Sequence, residues 1–164
     1  MQRLLILPVG VLLLSLCCFP FAPVADYLVT EEPKIEDITG TYKYALQNIL
    51  DEEVINISAS SIELFADGSC RLIDFPIIAE ETLFTYRFIE LRSVNCTWKK
   101  TTYGRVSQWG NSLPVWAICF NAADFIAAVK CASLTDDGEP YNLVFVFGDP
   151  DSNEIMVYKK AVSK

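Results

Sequence analysis

From residue 38 onward the chain consists of short runs rich in β-branched and aromatic residues, separated by turn signals, and this pattern sets the fold class. Ile38–Tyr44 reads as a first strand and Ser61–Ala66 as a second. Asp67-Gly68 then marks a hairpin, because Gly accepts a positive φ at no steric cost. Cys70–Phe75 returns and is expected to stop at Pro76. Leu83–Leu91, Asn95–Lys99 and Pro114–Phe120 follow. Tyr141–Phe147 and Glu154–Lys160 flank a turn over residues 148–153. About eight short strands in about 125 residues predict an all-β fold, a single antiparallel β-barrel or a sandwich, rather than βαβ units. Asn121–Lys130 is open to two readings. One is a short helix capped by Asn121; the favoured one is a strand over Ile126–Ser133 paired back onto Val115–Phe120.

Several strands are apolar on both faces. Leu143, Phe145 and Phe147 share one face; Val144 and Val146 share the other. A half-exposed strand alternates instead. A packed core with a covering segment, an interior pocket for a small apolar ligand and an outer patch that docks a protein all remain open.

The amino end has a different grammar. Arg3 precedes Leu4–Ala25, 22 residues without a charge, which reads as an export signal or a retained membrane anchor. Leu14-Ser15-Leu16-Cys17 has the outline of a lipidation site, with Cys17 as the candidate. Each fate places the rest of the chain outside the cytosol, in the periplasm, cell envelope or medium, with the membrane as a partner of the leader. Residues 26–37 are acidic and read as a tether, which leaves 38–164 as the barrel domain.

Six cysteines are present, and Cys17 and Cys18 fall in the leader. The remaining four fit two disulfides in an oxidising compartment, with three connectivities open. The strand reading of Ile126–Ser133 sets Cys119 opposite Cys131, which leaves Cys70 with Cys96. No C-x-x-C occurs, so neither a redox dithiol motif nor a zinc knuckle is indicated.

Histidine is absent, which excludes imidazole-based triads and zinc sites that need a His ligand. The chain carries 13 Lys and Arg against 21 Asp and Glu, a net charge of −8; loss of Arg3 with the leader leaves 12 against 21, or −9. This sign, with no basic run, argues against nucleic acid. It suits a protein partner with a basic surface. No Gly-rich phosphate loop and no Gly-x-Ser-x-Gly is found. Asp149, Asp151 and Asn153 concentrate oxygen ligands without the spacing of a calcium loop, and turn chemistry accounts for them. Asn56-Ile57-Ser58 and Asn95-Cys96-Thr97 fit the glycosylation pattern. Acidic runs at 51–53, 80–81 and 136–139 read as solvated loops, with a carboxylate-based hydrolase as the alternative.

Gly40-Thr41-Tyr42 opens the first strand, and the Asp67-Gly68 hairpin and the Trp98 strand follow. Gly138-x-Pro140-Tyr141 then leads into Phe147-Gly148-Asp149-Pro150-Asp151-Ser152. In this order the residues resemble small exported bacterial proteins of calycin-like, lipocalin-like build, over roughly Ile38–Lys160. The resemblance implies a barrel in which Gly40, Tyr42, Gly68, Trp98, Gly148 and Asp149 are motif positions. The expected function is binding without catalysis and without a cofactor: a protein partner first, a small apolar ligand second.

Overall fold

The computed structural model describes residues 27–50, 56–82, 85–108, 110–122, 130–136, 141–148 and 154–161. The leader, Cys17, Asp149 and the segment 123–129 lie outside the described residues. A single helical turn, α1 (Ile35–Ile38), precedes eight strands: β1 (Gly40–Gln47), β2 (Ser61–Leu64), β3 (Ser69–Thr82), β4 (Thr85–Gln108), β5 (Asn111–Asn121), β6 (Cys131–Thr135), β7 (Asn142–Val146) and β8 (Ile155–Lys160). Each pairs antiparallel with its sequence neighbours, and β8 returns to β1, so the sheet closes into a ring. Closure satisfies the ladder groups that an open sheet would leave at its edges.

Three boundaries differ from expectation. Ile38 belongs to the helical turn rather than to β1, and it is fully buried. Pro76 does not stop β3: it pairs with Leu91 of β4 in mid-strand. The β2–β3 ladder ends at Ser61↔Ile73, so beyond it β3 pairs through the named ladders only with β4. A proline is tolerated where one side of a strand has no ladder partner. A register shift between Leu72 and Phe75 lies just before it. The runs ending at Leu91 and beginning at Asn95 are one continuous strand, β4, whose first half pairs with β3 and whose second half pairs with β5. Beside the disputed 121–130 stretch, β6 begins at Cys131, and Cys119↔Cys131, Ile118↔Ala132 and Ala117↔Ser133 are direct pairs.

The two ends of the ring are distinct. The β2–β3, β4–β5 and β6–β7 connections and the start of β1 share one end, here called the strap end. Residues 27–38 lie against it. Val29 donates its N–H to the Leu134 carbonyl at 3.0 Å, and its own carbonyl accepts from Trp116 N–H at 2.9 Å. Leu28 forms a bridge with Thr135. Val29 therefore sits in the sheet plane where β5 and β6 part beyond Ala117↔Ser133. Lys100 Nζ holds the next turn, donating to Glu32 Oε1 and the Pro33 carbonyl, both at 2.7 Å, while lying 5.3 Å from the Trp116 ring centre.

The ring interior holds the core. Tyr42, Ile62, Leu72, Ile118, Leu134, Leu143, Phe145, Met156 and Tyr158 are at most 1% exposed. Phe75 stacks on Tyr158 at 5.7 Å, and Phe145 meets both at 5.5 and 5.9 Å; Phe120 stacks on Phe145 at 6.0 Å. Such ring pairs contribute roughly 0.5–1.5 kcal/mol each beyond the area they bury. Both buried phenols are satisfied: Tyr42 Oη donates to the Ile38 carbonyl, and Tyr158 Oη shares a hydrogen bond with Ser60 Oγ, each at 2.7 Å. A second apolar cluster, Val144, Ile155 and Val157 with Val146 against it, is also buried and occupies the opposite face of β7 and β8. This is why these strands read as apolar on both sides.

Burial drives the Tyr42 and Tyr158 hydroxyls well above the usual phenol range; for Tyr158 the Ser60 hydrogen bond opposes this in part and Tyr44 adds to it. In the unfolded chain a phenol loses its proton near pH ~10. The stabilisation from these neutral phenols is therefore complete below about pH 10 and is lost as pH rises beyond it. The urea midpoint is expected to fall between about pH 9 and about pH 11, and Tyr42→Phe and Tyr158→Phe each flatten that fall. A pH-independent wild-type midpoint over this range would contradict the assignment.

Candidate functional site

The strap end gathers most of the residues singled out in the sequence. Gly40 pairs with Leu64, and Tyr42 pairs with Ile62. The hairpin between β2 and β3 is closed by Phe65 N–H to the Ser69 carbonyl at 3.0 Å and by Gly68 N–H to the Phe65 carbonyl at 3.1 Å. Asp67 Oδ1 accepts from Ser69 N–H and Oγ–H at 2.8 and 2.6 Å. The Ser69 hydroxyl, and after it the Ser69 amide, hold the Asp67 carboxyl below its usual value. Trp98 joins this hairpin twice: its N–H donates to the Gly68 carbonyl at 2.8 Å and its Nε1–H to the Phe65 carbonyl at 2.9 Å. Gly148 lies elsewhere, after β7 at the opposite end. Gly68 and Trp98 therefore meet directly, Gly40 and Tyr42 lie on the neighbouring β1–β2 ladder, and these contacts serve structure rather than chemistry.

Gly40 and Gly68 each occupy a conformation that L-residues resist, at φ +132° and +83°. A Cβ at Gly40 would also approach Lys160 Cε to 3.2 Å, whereas at Gly68 the nearest atom is the Trp98 carbonyl oxygen at 3.7 Å.

The four outer cysteines form two bridges of different character. Cys70–Cys96 joins β3 to β4 and is part of the buried core. Cys119–Cys131 joins β5 to β6 with its cysteines half-buried. An open groove of about 430 Å³ runs over this second bridge, lined by Thr97, Trp98, Lys99, Cys119, Phe120, Asn121, Lys130 and Cys131.

The electrostatic feature of the strap end is a group of carboxylates around Tyr141. Burial raises the Tyr141 hydroxyl first, and Asp37, Asp136 and Glu31 add to it in that order. Glu31 and Asp37 come from the strap, the second within α1, and Asp136 follows β6, far along the sequence. Among the described residues none of them has a salt bridge. Lys160 Nζ donates to the Asp37 backbone carbonyl rather than to its carboxylate. Tyr27 is 42% exposed, and its carbonyl accepts from Asp136 N–H at 2.9 Å. The sequence pattern marks the strap as a tether and Asp136 as a loop acid. The juxtaposition depends on the Leu28↔Thr135 bridge, which no local pattern announces.

Other chemistry is sparse. Among the described residues no Asp or Glu is buried, and no group of three or more His, Cys, Asp or Glu could hold a metal. No helix among them is long and apolar enough to cross a membrane. Comparison with protein-family models, with curated proteins and with solved structures finds no match to this chain.

Because the strain at Gly68 is in the backbone alone, Gly68→Ala is expected to cost about 1–2 kcal/mol. Gly40→Ala is expected to cost at least as much, about 1–3 kcal/mol, through backbone and contact together. Urea unfolding of both variants checks this, and unchanged midpoints would refute it.

Proposed function

We propose that this chain is an exported, non-enzymatic β-barrel domain of lipocalin-like build that acts by binding a protein partner with a basic surface. The carrying observation is the strap-end group of Glu31, Asp37 and Asp136 around Tyr141, beside exposed Tyr27. Among the described residues these carboxylates form no salt bridge, and although the Lys160 ammonium lies in the field of Asp37, the rest of their field is open to a cationic partner, while aromatic side chains beside them supply contact area at low entropic cost. The net charge of −8 favours the same encounter at long range. Two disulfides are compatible with an oxidising, extracytosolic setting. The uncharged leader supports export.

Aromatic rings in mutual contact occupy part of the described interior, which supports placing binding on the outside of the ring. A hydrolytic role for paired carboxylates gains no support from the described acids, all of which keep contact with solvent.

Surface-immobilised full chain should retain a lysine-rich polypeptide at about 10 mM salt and lose much of it at about 150 mM, as screening shortens the range of the field. The triple variant Glu31→Gln, Asp37→Asn, Asp136→Asn should bind several-fold more weakly. The control Glu80→Gln, Glu81→Gln, Glu90→Gln, equal in charge but on the β3–β4 ribbon, should bind nearly as wild type. Equal losses in the two variants would mean that net charge alone acts, and the site would be rejected.

A further inference from the structure

We propose that the Cys119–Cys131 bridge is a thiol–disulfide exchange site, reducible in the folded protein by a dithiol, and that its reduction loosens the β5–β6 seam while leaving Cys70–Cys96 intact. This inference is independent of the binding reading above.

Three observations carry it. First, access: Cys70 and Cys96 are 2% and 8% exposed within the core, whereas Cys119 and Cys131 are half-buried and line an open groove of about 430 Å³. An attacking thiolate must reach a sulfur, so the groove separates the two bridges kinetically. Second, charge: among the described residues the groove lining includes Lys99 and Lys130 and no carboxylate. Lys99 is the register partner of Cys119, and Lys130 adjoins Cys131 in the chain. Neither lysine has a salt bridge among the described residues. Cations beside a cysteine favour its thiolate and hence its departure as a leaving group. Third, placement: among the described residues β5 and β6 share three register pairs, with the bridge on the last of them, one hydrogen bond from Phe120 N–H to the Lys130 carbonyl beyond it, and Val29 wedged beyond the first. The β3–β4 ladder around Cys70–Cys96 runs from Ser69↔Thr97 to Thr82↔Thr85 and would outlast its own bridge.

The chemistry balances with a dithiol as the reductant. One of its sulfurs, as a thiolate, bonds to a bridge sulfur; the Cys119–Cys131 S–S bond breaks, and its electron pair leaves on the other cysteine as a thiolate. The second sulfur of the reductant, having given its proton to solvent, attacks the mixed disulfide and releases the second cysteine. The dithiol ends as its own cyclic disulfide, and the two cysteines end reduced, each taking up a proton from solvent according to pH.

The test treats the native full chain with dithiothreitol, quenches by alkylation at intervals and reads each cysteine by peptide mass spectrometry. Cys119 and Cys131 are expected to be alkylated at least about tenfold faster than Cys70 and Cys96. Lys99→Gln with Lys130→Gln should slow this phase several-fold without altering the slow one. Hydrogen exchange of the partly reduced protein should rise over residues 115–121 and 131–135 and stay unchanged in β1–β3. The proposal is overturned if both bridges are reduced together, if Cys70–Cys96 goes first, if the lysine variant reacts at the wild-type rate, or if exchange at the seam is unaltered.

Discussion

The ring depends on how β5 and β6 are held together. β3–β4 and β4–β5 are joined by long ladders, whereas β5–β6 and β6–β7 share three register pairs each among the described residues. At the β5–β6 seam these pairs and the hydrogen bond from Phe120 N–H to the Lys130 carbonyl hold the strands, which part toward the strap end. The gap at the strap end is filled by the backbone of Val29, which offers its N–H to one strand and its carbonyl to the other. An unfilled gap would leave the Trp116 amide and the Leu134 carbonyl without those partners, and unpaired buried backbone groups are costly. Lys100 fixes the strap in place through Glu32 and the Pro33 carbonyl. At the other end of the seam a covalent bridge does the corresponding job. The acidic strap is thus a structural member as well as the source of two carboxylates beside Tyr141.

The interior and the strap end divide labour. Inside, side chains from β1, β3, β5, β7 and β8 interlock: Tyr42, Phe75, Phe120, Phe145 and Tyr158. The Tyr42 and Tyr158 hydroxyls have fixed hydrogen-bond partners, the Ile38 carbonyl and the Ser60 hydroxyl. Nothing in that packing asks for a titratable group to change state near neutral pH. The charge lies outside, sorted by region: carboxylates gather at the strap end, and the groove above the β5–β6 bridge carries two lysines. A rigid centre with a polarised exterior suits a module that presents surfaces.

Much of the fold was legible because strand chemistry is local. Val144, Phe145 and Val146 announce a strand by composition; Asp67-Gly68 announces a hairpin by its backbone demands; Cys119 opposite Cys131 follows from register once β6 is read as a strand. What escaped was set by partners distant in sequence. Pro76 looked like a terminator because a single sequence does not show that β2 ends before reaching it. Val94 and its neighbours looked like a break because their pattern is weak, although β4 continues through them on its pairing with β3. The strap's insertion rests on the Leu28↔Thr135 bridge and the backbone hydrogen bonds of Val29, between residues whose types give no hint of each other. The carboxylates around Tyr141 were invisible for the same reason.

The long shared strand bears on the order in which the ring assembles. β4 pairs with β3 through one short connection and with β5 through another, so three strands can zip from nearby contacts with little chain entropy lost. The β1–β8 ladder instead joins opposite ends of the domain, with Asn48 Oδ1 accepting from Ile155 N–H across 107 residues. Contacts of such separation are the slow ones in β topologies. The β3–β4–β5 meander is thus the natural nucleus, and the ring shuts when the carboxyl-terminal strand finds the amino-terminal one.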